Sequence, residues 1–260
     1  MNDKEKILEY LRGGSSGELN LCWADLKGMY LSKANLSGVD LSFSDLSGAN
    51  LSGANLKEAK LMGANLLGAE LSRADLSGAN LSGADLSEAD MYKTKLVSTN
   101  LLEAKLVNVN LQQANMADAN LLYSNLTGAV LIGVNLPYAD LSYANLTCVN
   151  LSSANLIFAH LTDVKLMDAN LSGADFSKAD MTEVNMTSAN LTETDFSDAN
   201  LSLAILDNAI MTKTKFRNAN MKGSSRKENN IITIKPINEH RHYSILNPVG
   251  ARYIRMNFTS

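Results

Sequence analysis

The sequence predicts an all-β solenoid, a rod of short stacked coils, and three observations of its repeat predict it. Every fifth residue from Leu21 to Met221 is Leu, Met or Phe, without insertion or deletion. The residue two places earlier is Ala at 27 of these 41 positions, and the residue between the two is Asn at 20 positions and Asp at 10. A pattern that holds one register over so many units is an internal structural repeat.

A spacing of five fits neither of the regular elements. On an α-helix, five residues advance by about 500°, so successive leucines would spiral around the cylinder without forming a stripe. On a β-strand, an odd spacing sends alternate leucines to opposite faces. All of them are buried only if the chain turns by the same angle in each pentad, which points every large residue at a common axis. Coils of this kind stack, and each touches only its neighbours.

The sequence also resembles a known protein family, and this resemblance implies the number of sides in each coil. The stretch 46–60, LSGANLSGANLKEAK, shows the tandem pattern A(N/D)LSG, which resembles the pentapeptide-repeat family over about four fifths of the chain. This resemblance implies a right-handed quadrilateral parallel β-helix, with four pentads per coil and the central residue inside. The 41 pentads would then make about ten coils, a rod of roughly 50 Å at strand spacing. Asn and Asp suit the bends, because they tolerate unusual backbone angles and hydrogen-bond to their own backbone.

Both ends of the repeat need covering, since a solenoid exposes sheet edges there. A short helix is predicted over 3–12 and ends at Gly13, and Trp23 and Phe43 are expected to contribute to its join with the rod. After the repeat, a polar linker precedes apolar runs that are typical of short strands. The expected divisions are an N-terminal capping helix and turn over 1–18, a β-helix over 19–222, and a linker with a C-terminal β cap or tail over 223–260.

The composition indicates one continuous soluble core. The chain of 260 residues has a formal net charge of −4 and 6% aromatic residues, and the repeat is unbroken. No apolar run approaches the length of a membrane span, and the N-terminal residues lack the apolar core of a signal peptide. We therefore expect a cytoplasmic protein that does not associate with membranes.

The sequence offers no constellation of catalytic or metal-binding residues. His160 occupies an ordinary outward position, and His240 and His242 have no cysteine or carboxylate cluster at metal-ligand spacing. The Ser-Gly pairs belong to the repeat and lack the strand–helix context of a phosphate-binding loop. An interior filled with leucine leaves no pocket. We therefore expect no enzymatic activity, no cofactor and no metal.

Aromatic residues cluster on one part of an otherwise polar surface. With four pentads per coil, residues 20 apart stack on one another, and this spacing relates Tyr123 to Tyr143 and Tyr138 to Phe158. Ile157 lies at an adjacent outward position. We call these five residues the aromatic patch, and exposed aromatic side chains of this kind form binding hot spots. The alternative is that the rings only stack on each other and stabilise the sheet.

Charged residues form two further candidate surfaces. The segment 161–200 carries a local charge of −6, and the segment 222–260 carries +5. The candidate acidic surface consists of Asp163, Asp168, Asp175, Asp180, Glu183, Glu193, Asp195 and Asp198. The candidate basic tail includes Arg226, Lys227, Arg241, Arg252 and Arg255. The alternatives are that the tail docks on the acidic coils of its own chain, or that both segments are solvated faces.

These surfaces favour a non-enzymatic scaffold that binds another protein through the aromatic patch or the basic tail. The resemblance implies an alternative, because quinolone-resistance members of the family bind DNA gyrase as mimics of DNA. Those members favour Phe at central positions, whereas this chain has Phe at three of 41. A purely structural spacer is a third interpretation. Residues 231–258 supply strands that could pair two copies as a homodimer, and we do not expect nucleic acid as a partner.

Overall fold

The computed structural model describes residues 2–13 and 19–227, and its repeat forms a four-sided β-helix. Parallel backbone bridges join every fifth residue to the one 20 places further on, beginning with Asn20 and Asp40 and ending at Ser225. Four pentads therefore complete one coil, and the coils wind right-handed. Each bridged strand is a single residue long. The prediction of a right-handed quadrilateral β-helix of about ten coils is confirmed.

Each pentad has five positions, which we name from its large residue onward. In the pentad 141–145 they are the central residue Leu141, the first corner Ser142, the second corner Tyr143, the inner residue Ala144 and the outer residue Asn145. The central and inner side chains point into the rod and are buried. The second-corner side chain is exposed, and the outer one is partly exposed.

The core is a continuous stack of central and inner side chains. Central residues are at most 1% exposed from Leu21 to Leu206. Apart from Leu19 and Met29, the inner residues are small or β-branched, so that opposite walls of the coil approach each other. Where an inner residue is Thr, its hydroxyl donates to a backbone carbonyl, as Thr94 does to Leu71 at 2.9 Å, which satisfies the buried group. The last central residues are only half-buried, and these are Met211, Phe216 and Met221.

The backbone hydrogen bonds explain why the outer residue is Asn or Asp. In the pentad 141–145, the N–H groups of the central, second-corner and outer residues donate to carbonyls of neighbouring coils, and that of the inner residue closes a turn. The remaining N–H, that of Ser142, donates to Oδ1 of Asp140, the preceding outer residue, at 2.9 Å. The N–H of Thr147 donates to Asn145 in the same way at 3.1 Å. The predicted bond between these residues and their own backbone is confirmed.

The prediction that the outer Asn and Asp residues adopt the unusual backbone angles was wrong. These angles occur at the second corner instead. Every second-corner residue from Trp23 to Gly223 has a positive φ, which ranges from 53° at Ser98 to 75° at Gly223. This left-handed conformation costs a residue with a Cβ about 1–2 kcal/mol. It accompanies a tight turn at the corner, in which the N–H of the inner residue donates to the carbonyl of the central residue.

One helix, α1 at Asp3–Leu11, precedes the rod and ends one residue before the predicted bound. A capping box starts it, since Asn2 and Glu5 each accept the other's backbone N–H. The side chain of Ile7 is fully buried in the same core cluster as the first central leucines. The predicted C-terminal β extension lies outside the described residues.

Candidate protein-binding site

The four rings of the aromatic patch all stand at second corners, where the backbone directs side chains away from the rod. Their exposed fractions are 54% for Tyr123, 57% for Tyr138, 48% for Tyr143 and 38% for Phe158. The rings of Tyr123 and Tyr143 are stacked with centroids 5.0 Å apart, and those of Tyr138 and Phe158 with centroids 5.1 Å apart. The predicted stacking at a spacing of 20 residues is therefore present.

The two ring pairs flank one side of the rod. The chain runs from the corner of Tyr138 along one side to the corner of Tyr143, so the pairs occupy adjacent corners. We call this side, with its two corners, the aromatic side. The outer residues between the ring pairs are Asn120, Asp140 and His160.

Half-buried apolar residues at first corners line both edges of the aromatic side. Ile157 is half-buried directly before Phe158, so it forms part of the base of the patch and does not project as the rings do. The same edge continues at Val97, Ala117 and Pro137, and the opposite edge contains Leu102 and Leu122. The apolar surface is therefore larger than the five residues of the patch.

A cation covers the end of one ring pair. The Nζ atom of Lys178, one coil beyond Phe158 at the same corner, lies 4.9 Å from the centroid of the Phe158 ring. Second-corner side chains lean toward the following coil, since a Cβ added at Gly63 would lie 2.7 Å from the ring of Phe43. Tyr138, Phe158 and Lys178 thus form one continuous stack.

The eight residues of the candidate acidic surface are distributed around the rod, over all four corners and two sides. Three of them pair with cations of the next coil, and the hydrogen bond from Lys213 lowers the pKa of Glu193 below its usual 4.5. These pairs are Glu193–Lys213 at 2.8 Å, Asp195–Lys215 at 3.0 Å and Asp198–Arg217 at 3.8 Å. The structure therefore does not bring the eight carboxylates together on one face.

The candidate basic tail falls mostly outside the described residues. Arg226 and Lys227 are described, and the N–H of Lys227 donates to Oδ1 of Asp207 at 2.7 Å. The remaining members, Arg241, Arg252 and Arg255, lie beyond residue 227, as do the strands predicted over 231–258.

A third ring pair lies near the N-terminal end of the rod. Trp23 is 72% exposed, and its ring stacks on that of Phe43 with centroids 4.5 Å apart. Both residues occupy the same corner column as Tyr123 and Tyr143. Sequence reasoning assigned them to the join with the helix, although their spacing of 20 residues is the signal that relates the other pairs.

The described residues contain no group of three or more His, Cys, Asp or Glu side chains that could hold a metal ion. No helix in this part of the chain is long and apolar enough to cross a membrane.

Comparison with known proteins found both a matching family and similar structures. The family model described as pentapeptide repeats matches eight copies that together span residues 18–223. HetL, a pentapeptide repeat protein involved in heterocyst differentiation regulation from the cyanobacterium Nostoc sp. strain PCC 7120, is 34% identical, with a TM-score of 0.74 over 85% of this chain and 97% of its own. No curated protein matched the chain.

Two further structures are less similar. Rfr23, a pentapeptide repeat protein from the cyanobacterium Cyanothece 51142, is 32% identical over 35% of this chain and 62% of its own, with a TM-score of 0.34. QnrB1, a plasmid-mediated fluoroquinolone resistance protein, is 14% identical over 81% of this chain and 93% of its own, with a TM-score of 0.39.

Proposed function

This chain belongs to the pentapeptide-repeat family, and from that premise we propose that it is a non-enzymatic scaffold that binds a partner protein on its aromatic side. The observation that carries the proposal is the exposure of the three tyrosines of the patch, between 48% and 57%, at the corners of a rod whose other corners are mostly polar. Exposed clusters of aromatic side chains on a polar surface are typical of binding sites.

Preformed rings favour binding because they reduce its entropic cost. Immobilising a side chain at an interface costs about 0.5–1.5 kcal/mol. Each ring of the patch already rests on its neighbour, and its backbone is fixed at a hydrogen-bonded corner. The rings therefore lose part of their conformational entropy when the rod folds, so less is lost when a partner binds and the affinity is higher.

A role in binding also agrees with the packing of the rod. Its described interior is filled by central side chains that are fully buried from Leu21 to Leu206, so a substrate would have to bind on the outside. HetL, which is similar over most of its length, is involved in regulation, and this supports an interaction role for a rod of this kind.

The competing hypothesis is that the rings only stabilise the rod. Cross-strand pairs of this kind contribute about 0.2–1 kcal/mol each, so the two pairs would be worth at most about 2 kcal/mol. Under this hypothesis, truncating the rings lowers stability and leaves every interaction unchanged.

The DNA-gyrase alternative receives less support from the described coils. A protein that imitates DNA must present uncompensated negative charge to attract a DNA-binding partner. In the acidic segment 161–200, Glu193, Asp195 and Asp198 are each paired with a cation, and the five other carboxylates are spread over two corners and two sides of the rod. A homodimer through residues 231–258 is a separate hypothesis, which sedimentation of the full chain would test.

The test is affinity capture from a lysate of the source organism with the wild type and a variant that carries Ala at the four rings. The variant replaces Tyr123, Tyr138, Tyr143 and Phe158. A matched control carries Ala at four exposed second-corner residues of the opposite side, Asn108, Gln113, Cys148 and Ser153, which have the same positive φ.

We expect a protein that the wild type and the control retain and the ring variant loses, while all three chains melt cooperatively. If the ring variant captures the same proteins as the wild type, the aromatic side is not the binding surface. Recovery of gyrase subunits on the wild type alone would favour the DNA-mimic alternative.

A further inference from the structure

Negative charge is concentrated on the aromatic side. Between residues 97 and 183, its corner and outer positions carry six carboxylates and one lysine, a formal charge of −5. The carboxylates are those of Glu103, Asp118, Asp140, Asp163, Asp180 and Glu183. The corresponding positions of five coils on the opposite side, over residues 107–193, contain two charged residues, Asp168 and Glu193, and Glu193 is paired with Lys213.

These six carboxylates are not neutralised within the described part of the chain. None of them takes part in the ion pairs formed there, which join other carboxylates to Lys or Arg. Lys105, for example, pairs with Asp85, at 3.9 Å, although Glu103 is only two residues away along the chain. The charge of the aromatic side is therefore available to a partner.

Carboxylates flank the stacked ring pair along one corner of the aromatic side. Glu103 stands one coil before Tyr123, and Asp163 stands one coil after Tyr143. Successive coils are about 4.8 Å apart, so a cation placed over either ring would have a carboxylate within about one coil spacing. The adjacent corner already holds a cation over a ring, since Lys178 lies 4.9 Å from the centroid of Phe158.

We propose that the aromatic side binds a cationic segment, rich in Arg and Lys, of a partner protein. An Arg guanidinium stacks on aromatic rings and also donates paired hydrogen bonds to carboxylates, so both features of this side act on the same group. Apolar residues of the segment would pack on the half-buried edges. This inference rests on the proposed scaffold function and specifies the chemistry of its partner.

The test uses the full chain and a fluorescein-labelled dodecapeptide of alternating Arg and Ser, with alternating Glu and Ser as the negative control. Binding is measured by fluorescence anisotropy at 50 and 150 mM NaCl. One variant removes charge with Glu103→Gln and Asp163→Asn, and a second removes ring faces but keeps apolar bulk with Tyr123→Leu and Tyr143→Leu.

A charge-matched control removes two carboxylates from the opposite side with Glu88→Gln and Asp168→Asn. We expect each aromatic-side variant to bind the Arg peptide about tenfold more weakly than the wild type. The control should change affinity less than twofold. Binding should weaken from 50 to 150 mM NaCl, because the Debye length falls as salt is added and is only about 8 Å at 150 mM.

Three results would overturn the inference. Equal weakening by the control and the aromatic-side variants would show attraction to net charge alone. Binding that appears only after Arg241, Arg252 and Arg255 are replaced by Gln would identify the chain's own C-terminal segment as the occupant. Failure of every form to bind the Arg peptide, with a captured partner still lost from the ring variant, would refute the cationic segment and leave the scaffold function standing.

Discussion

Replacing Asn145 with Ala would test whether the outer residue is needed as a hydrogen-bond acceptor. Its Oδ1 accepts from the backbone N–H of Thr147 at 3.1 Å and from the Thr147 hydroxyl at 2.7 Å. Alanine removes the acceptor and leaves the N–H of a half-buried residue without it. The equivalent loss at a helix N-cap costs about 1 kcal/mol. We expect the same decrease in the free energy of unfolding, or about 2–4 °C in Tm for a chain of this size.

The neighbouring coil provides a matched control. Lys165 bridges to Asn145 and occupies the same outer position, but its ammonium group cannot accept a hydrogen bond. Lys165→Ala should therefore change stability by less than about 0.5 kcal/mol. Asn145→Asp keeps the acceptor and should restore most of the stability that Ala loses. Urea and thermal unfolding followed by circular dichroism measure all three. Equal losses for the two alanine variants would refute the role assigned to the outer residue.

Three further predictions concern the corner, the core and a carboxylate. Gly48→Ala should lower the free energy of unfolding in urea by about 1 kcal/mol, because φ is +62° there and the added Cβ meets no atom; an unchanged midpoint would contradict this. Leu126→Asp should abolish cooperative melting, since it buries an unpaired carboxylate, whereas Ser98→Asp at an exposed corner should melt within about 2 °C of the wild type. Burial raises the pKa of Asp75, but hydrogen bonds from Ser77 and two nearby lysines outweigh it and hold the pKa below 3.8. The stabilisation by the Asp75 carboxylate is present above pH 3.8 and is lost as the pH falls through the lowered pKa. The free energies of unfolding of the wild type and of Asp75→Asn, measured against pH, should therefore converge below that pKa.

The ring stacks were predictable because the repeat converts a spacing of 20 residues into contact. Once four pentads make a coil, the spacing of Tyr123 and Tyr143 is sufficient to place one ring on the other. The same rule applies inside the rod, where neighbouring phenylalanine rings stack with centroids 5.4 Å apart at Phe176, Phe196 and Phe216.

The bend was less predictable because general turn preferences favour Asn and Asp. The structure uses these residues as acceptors and places the strained angle at the second corner. A better signal was present, since all repeat glycines fall at that position, from Gly28 to Gly223. First-corner residues are mostly half-buried, but Ser142 is only 9% exposed, a difference that the repeat pattern does not predict because it depends on neighbouring side chains in three dimensions.

The four-sided coil makes position along the chain equivalent to an angle around the rod. A deletion of five residues would leave the geometry of each pentad intact, but it would rotate everything after it by a quarter turn. Placed between Tyr123 and Tyr138, such a deletion would set Tyr123 beside Cys148 and divide the aromatic side between two faces. A deletion or duplication of 20 residues would only remove or add one coil. The rod can therefore change its length in whole coils during evolution while every surface keeps its orientation.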